Sequence, residues 1–416
     1  MKNSLWCLGI LLICFGCKKS STPVAPPPDD TWNGIVVPQA PVAVSKSTTK
    51  KVFVHVTPWF ETPASNNSCC NWGIHWTMNL GSTTPNTIVN GQRKIASHYY
   101  PMIGPYASGD TAVIDYELLL MKLSGIDGVF IDWPGTGTNL GQNLDLSKTE
   151  ANAKVLISRL GKVGLKYSMV YEDQYVSRYT DKAAAAKVDI QYLQDHNFTD
   201  PNYELLNGKP LLLVFGPQAI TSGAGWANVF SGLPQSPAFF TYMFQRNQAS
   251  GQTTGEFGWV EQSNISRLNT FYSTNPGVKI SAAYPGFNSF YAPGGWPGPT
   301  WSIAANGTAT FNQTLDLALA QGNNYIQLIT WNDYGEGTMI EPTDPATGGF
   351  GYSLLTSLQT KLGVPLTQAD LETVAKFYGL RTANAGNAAV LNKLNQVYYY
   401  IVSLQIAKAK QLLSTI

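Results

Sequence analysis

From residue 51 onward the chain alternates short β-branched or aromatic runs with longer stretches of helical apolar spacing. A pattern that switches between a period of two and a period of 3.6 describes successive parallel βα units. The runs are KVFVHVTP (51–58), DGVFIDW (127–133), KYSMVYED (166–173), PLLLVFG (210–216), AFFTYMF (238–244), EFGWV (256–260), VKISAAYP (278–285) and NYIQLITW (324–331). Helical spacing falls at about 112–124, 149–162, 182–196, 219–230, 264–273, 311–321 and 353–361. Eight strands joined by right-handed crossovers predict an α/β fold, the (β/α)8 TIM barrel, over residues 49–362. An open doubly wound sheet would carry a Gly-rich nucleotide loop after its first strand, and neither Gly-x-Gly-x-x-Gly nor the phosphate-loop pattern occurs.

Several runs end in acids and rings: Asp132 and Trp133 close the second, Glu172 and Asp173 the third, Tyr284 the seventh, and WNDYGEG (331–337) follows the eighth. A barrel gathers these C-terminal ends on one face, so carboxyls from three strands meet there beside rings. Asp333 and Glu336 stand three residues apart, next to Trp331 and Tyr334, whose rings lower the local dielectric and separate the two acidities. The connection from 59 to 111 is too long for an ordinary loop and holds Trp59, His98, Tyr99 and Tyr100, read as walls of the mouth. A second insertion, FYAPGGWPGPTW (290–301), follows the seventh run.

A net charge of +1 excludes the clustered cations that nucleic acid needs. Charged residues make up 13% of the chain, against about 25% in an average domain, while aromatics reach 12%. Such a surface suits uncharged, stackable ligands such as sugars. Residues 1–17 read as a secretory signal ending in a lipobox-like Gly16-Cys17, with Cys17 the lipidated residue, and 18–48 as a flexible Pro/Ser/Thr-rich tether. The expected place is therefore the outer membrane or surface of a Gram-negative bacterium, with membrane contact only through the anchor. Cys69 and Cys70 form either a vicinal disulfide or two free thiols. No metal or cofactor is expected, since the four histidines show no His-x-x-x-His spacing. Residues 363–416 read as a C-terminal helical segment that packs on the barrel or docks a partner.

SHYYPMIGPYASGDTAVIDYELLLMKLSGIDGVFIDWPG (97–135), LKYSMVYEDQY (165–175), GKPLLLVFGP (208–217), AYPGFN (283–288) and ITWNDYGEGTMIEP (329–342) together resemble the bacterial glycoside hydrolases described as family 71/99-like. The resemblance implies a (β/α)8 barrel and cleavage of α-linked glycans, α-mannan or α-glucan. In family 99 the last motif reads Asn-Glu-Trp-x-Glu-Gly-Thr-x-Ile-Glu-Pro; here Asn332, Glu336 and Glu341 match it, with Asp333 and Tyr334 at its Glu and Trp positions. Glu336 then takes the general-acid position, and Asp333 stands where family 99 has a Glu that deprotonates the sugar 2-hydroxyl. The WNDYGE form instead resembles the α-1,3-glucanases of family 71, so the sequence sits between the two families. Chemistry and resemblance together assign Glu336 as acid and Asp333 as base. Glu172, Asp132, Tyr284, Trp133, Trp331, Asn332, Tyr334 and Glu341 join the wall residues as expected contacts for an oligosaccharide or polysaccharide, in a protein expected to be a monomer. The alternative is a glycan-binding lipoprotein without turnover.

Overall fold

The computed structural model describes residues 32–66, 71–136 and 146–416. The signal segment with Cys17, the start of the tether, and Cys69 with Cys70 lie outside the described residues.

Each expected run forms a strand: β1 Lys51–Val56, β2 Gly128–Trp133, β3 Lys166–Tyr171, β4 Lys209–Val214, β5 Ala238–Tyr242, β6 Gly255–Phe257, β7 Val278–Ala283 and β8 Tyr325–Leu328. Neighbours pair in parallel all the way round, and β1 closes on β8 with Lys51 opposite Tyr325 and Val54 opposite Leu328. Closure leaves the ring without a free edge. Side chains alternate: Val52, Val54 and Val56 pack outward with α1 Thr111–Leu123, while Phe53 points inward and stacks on Phe130 at 4.8 Å. Crowding at that point demands glycine, because a Cβ on Gly128 would lie 2.5 Å from the Phe53 ring and 2.6 Å from the Lys166 carbonyl oxygen.

The outer helices after α1 are α2 Leu146–Val163, α3 Lys182–His196, α4 Gly223–Phe230, α5 Asn264–Ser273, α6 Ala309–Leu319 and α7 Ser353–Leu362. Their starts are set by side chains that accept orphan N–H groups, Asp110 from Ala112, Asp181 from Ala184 and Ser222 from Gly225. Between β5 and β6 a 3-10 turn, Arg246–Ala249, stands in place of a helix.

Three further helices follow, α8 Gln368–Ala383, α9 Ala388–Val402 and α10 Ile406–Leu413. A capping box of Thr367 and Asp370 starts α8, which packs against α1. The sequence reads 387–416 as one helical segment, but Leu404 adopts φ 59° and folds α10 back onto α9. Apolar spacing continues across that break and so does not mark it. The described part of the stretch read as a flexible tether also differs from that reading. Its backbone is bonded to the body, Val42 N–H to the Val402 carbonyl at 3.0 Å and Ser47 N–H to the Leu362 carbonyl at 2.8 Å. The partners lie more than 300 positions away, beyond anything local composition signals.

Candidate active site

Inward alternation brings His55 from β1, Asp132 from β2 and Glu172 from the end of β3 to the C-terminal mouth of the barrel. His55 Nε2 lies 3.1 Å from Asp132 Oδ2, and the His55 ring meets Trp259 edge-on at 4.8 Å. Burial drives His55 down to about 4, so it is neutral near pH 7. Burial also pushes Asp132 up to about 7 and Glu172 well above the usual carboxylate range, where it shares a hydrogen bond with Asp132.

Beyond β8 the chain makes a closed loop from Thr330 to Ile340, held by Thr330 N–H to the Thr338 carbonyl and Ile340 N–H to the Thr330 carbonyl, both 2.9 Å. Within it Asp333 Oδ1 accepts the Glu336 N–H at 2.9 Å. Gly337, at φ 67°, lets the chain turn where a Cβ would lie 2.7 Å from the Asn288 carbonyl oxygen. The loop after β7 clasps this turn through Asn288 N–H to the Glu336 carbonyl, 2.9 Å, and Phe290 N–H to the Gly335 carbonyl, 2.8 Å. That clasp delivers Tyr291, whose hydroxyl donates to Glu336 Oε1 at 3.0 Å. Glu336 Oε2 has no hydrogen-bond partner among the described residues.

Four carboxyls thus share one buried site, and their environments differ. Burial, reinforced by the Asp333 charge, pushes Glu336 up to about 8. Burial raises Asp333 only to about 6, because the Glu336 and Gly335 N–H groups favour its charged form. The two titrate together, and with the N–H donors aimed at Asp333 it is Asp333 that ionises first. Near pH 7 the arrangement offers a carboxylate at Asp333 and a proton at Glu336, the division of labour that acid/base chemistry needs.

Beside Glu336 lies a cavity of about 340 Å³ lined by Phe215, Tyr242, Trp259, Phe287 and Trp301, with Gln218, Gln245 and Glu261 as polar points. On the other side Trp59 stacks on His75 at 4.3 Å, and His75 meets Trp296 edge-on at 5.7 Å. Of the remaining wall residues, His98 is exposed and ties the two long loops together through the Ser289 carbonyl at 3.2 Å. Tyr99 rests on Phe350 and Tyr100 accepts the Arg93 N–H through its hydroxyl.

Six residues expected to touch sugar are not brought to the cluster. Trp133 falls on an outward position, and Tyr284, just past the end of β7, is turned away from the acids. The Trp133 indole donates to Glu150 of α2, and the Tyr284 hydroxyl donates to Asn264 of α5 at 2.9 Å. Trp331 turns outward into the core, toward Glu117 of α1. Asn332 is spent on Thr57, accepting from its N–H and hydroxyl, both at 2.9 Å. Tyr334 and Glu341 are fully buried behind the turn, the tyrosine hydroxyl donating to the carboxyl at 2.9 Å. His55 and Tyr291 were missed from the sequence. His55 was detectable as the inward residue next to the end of β1; Tyr291 had no signal beyond the ring-rich insertion that carries it.

Behind the turn Glu117 faces Glu341, and burial pushes Glu117 up to about 7. A carboxyl raised in this way supports the fold fully below its unfolded value near 4.5 and loses that support as pH climbs through about 7. Glu117→Gln removes the ionisation, so it should stabilise the protein at pH 8 by up to ~3 kcal/mol relative to its effect at pH 5. Denaturant unfolding at the two pH values measures this, and an equal effect at both would contradict it.

A (β/α)8 barrel with neutral and ionised carboxyls gathered at its strand ends defines the class of protein. No family model matches the chain. It is 20% identical over 321 residues to the glycoprotein endo-α-1,2-mannosidase of Xenopus laevis, covering 69% of this chain and 68% of the relative. It is 22% identical over 318 residues to a Danio rerio glycoprotein endo-α-1,2-mannosidase-like protein, covering 69% and 70%. Among solved structures, the GH99 endo-α-mannosidase from Bacteroides thetaiotaomicron superposes with a TM-score of 0.57 at 16% identity, covering 79% of this chain and 99% of that one. In sequence the chain is thus similar to endo-α-1,2-mannosidases over about two thirds of its length, and in fold to the GH99 endo-α-mannosidase.

Proposed function

We propose that the chain is an endo-acting glycoside hydrolase that cleaves α-mannosidic bonds in an oligosaccharide or polysaccharide. The observation that carries this is Glu336, held by Tyr291 and buried without a partner at Oε2 beside an aromatic pocket, with the lower-pKa Asp333 in the same turn. The names of the relatives favour mannose over glucose. A sugar stacked on rings of the pocket presents its glycosidic oxygen to Glu336, which delivers its proton to the leaving group. Asp333, ionised, stabilises the cationic transition state or takes a proton from the attacking water, whose oxygen bonds to the anomeric carbon as the bond to the leaving oxygen breaks. Incubation of the purified protein with α-mannan and α-glucan oligosaccharides, followed by product analysis, tests the reading. Internal cleavage of the mannan is expected; binding without any product after long incubation would leave a glycan-binding protein instead.

The same reading places the protein outside the cytoplasm, anchored through Cys17. Support comes from the apolar stretch Leu5–Phe15 and Gly16-Cys17 in the sequence. Cys17→Ala should move the protein from the membrane to the soluble fraction, and membrane retention of that variant would remove the anchor.

A further inference from the structure

We propose that Glu341 is a positioning residue, a buried carboxyl that grips both flanks of Asp333 and so fixes the turn carrying Asp333 and Glu336. The inference rests on the reading of that pair as the catalytic one. Tyr334 sits between the two acids, and its ring is clamped by Phe60 and Trp76 at 6.0 and 5.4 Å. Its hydroxyl donates to Glu341 Oε2 at 2.9 Å, and the same oxygen accepts the Tyr106 hydroxyl at 2.8 Å. The Tyr106 hydroxyl in turn accepts Asn332 Nδ2–H at 3.3 Å. The residues before and after Asp333 are therefore both tied to one carboxyl oxygen, Tyr334 directly and Asn332 through Tyr106. Glu341 is itself fixed, since its N–H donates to the Trp331 carbonyl at 3.0 Å and its side chain is fully buried.

A carboxyl in such surroundings is costly, and an apolar residue of similar size would pack without that cost. What leucine cannot do is accept the two tyrosine hydroxyls. Those would be left buried and unpaired, and the turn would shift to find other partners. Displacement of a reacting group by about 1 Å lowers turnover by up to ~10²-fold while leaving remote sugar contacts intact. Positioning therefore predicts a loss in kcat and not in KM.

The experiment compares wild type with Glu341→Leu, Glu341→Gln and Tyr334→Phe in kcat, KM and crystal structure. The expected result is a loss of kcat of at least about tenfold for Glu341→Leu and Tyr334→Phe, with KM within about twofold. Glu341→Gln, whose amide oxygen still accepts both hydroxyls, should recover most of the lost rate. Wild-type kcat in a folded Glu341→Leu protein would overturn the proposal, as would a loss of rate with an unmoved turn in its crystal structure. Should the leucine variant fail to fold, Tyr334→Phe, which deletes one hydroxyl, decides by the same two criteria. Should the wild type prove inert on every glycan, the hydrolase reading fails. The crystal structures still decide the positioning role, a displaced 331–337 turn supporting it and an unmoved one overturning it.

Discussion

Glu336→Gln should lower kcat on an α-mannan oligosaccharide by about 10²–10⁴-fold, the worth of a positioned general acid. Glutamine keeps an oxygen for the Tyr291 hydroxyl and the size of the side chain, so the turn should stand and KM should change little. The pH dependence supplies a second, sharper mark. Wild-type kcat/KM should rise through about 6 as Asp333 ionises and fall through about 8 as Glu336 loses its proton. In Glu336→Gln the alkaline limb should vanish and the acid limb remain. An aryl mannoside, whose leaving group needs no proton, should be cleaved by the variant at a rate much closer to wild type. An alkaline limb that persists unchanged in the variant would take the acid role away from Glu336.

The barrel was legible because each strand is buried on both faces and reads as a short apolar run, while each helix announces its own period. All eight strands begin within one residue of their expected start, and α3 and α5 match their expected limits. The acids at the site were legible for a related reason: a strand end on a barrel has only one face to point at. Facing was less legible at the rings. Asp132 and Trp133 are adjacent, so the alternation that brings the acid inward sends the ring outward, whereas Tyr284, past the strand end, is drawn off by its hydrogen bond to Asn264. Asn332, Tyr334 and Glu341 share the motif of Asp333 and Glu336, yet the loop folds back on itself and hides them. Tyr291 reaches Glu336 only through a clasp between two loops, a contact that no local pattern carries.

Asp333→Asn and Asp333→Glu separate what the charge does from what the shape does. Asparagine preserves Oδ1, the acceptor for the Glu336 N–H at 2.9 Å, and so preserves the turn while removing the charge. Its kcat should fall by about 10³-fold or more, near the upper range for a general base. Glutamate restores the residue that family 99 carries at this position and keeps the charge, but adds a methylene. With the backbone held by Asp333 N–H to the Thr330 hydroxyl oxygen and by Gly337 N–H to the Asp333 carbonyl, the longer carboxylate cannot reach the Glu336 N–H from the same place. It is displaced by more than about 1 Å, and a loss of roughly 10²-fold is expected. The Asp333→Glu carboxylate also loses the donor that holds its acidity, so the acid limb of kcat/KM should move above 6. The expected order is wild type, then glutamate, then asparagine. Full turnover by Asp333→Asn would mean that Asp333 only shapes the turn and that the ionised partner is Asp132 or Glu172, which stand with His55 in the same buried cluster.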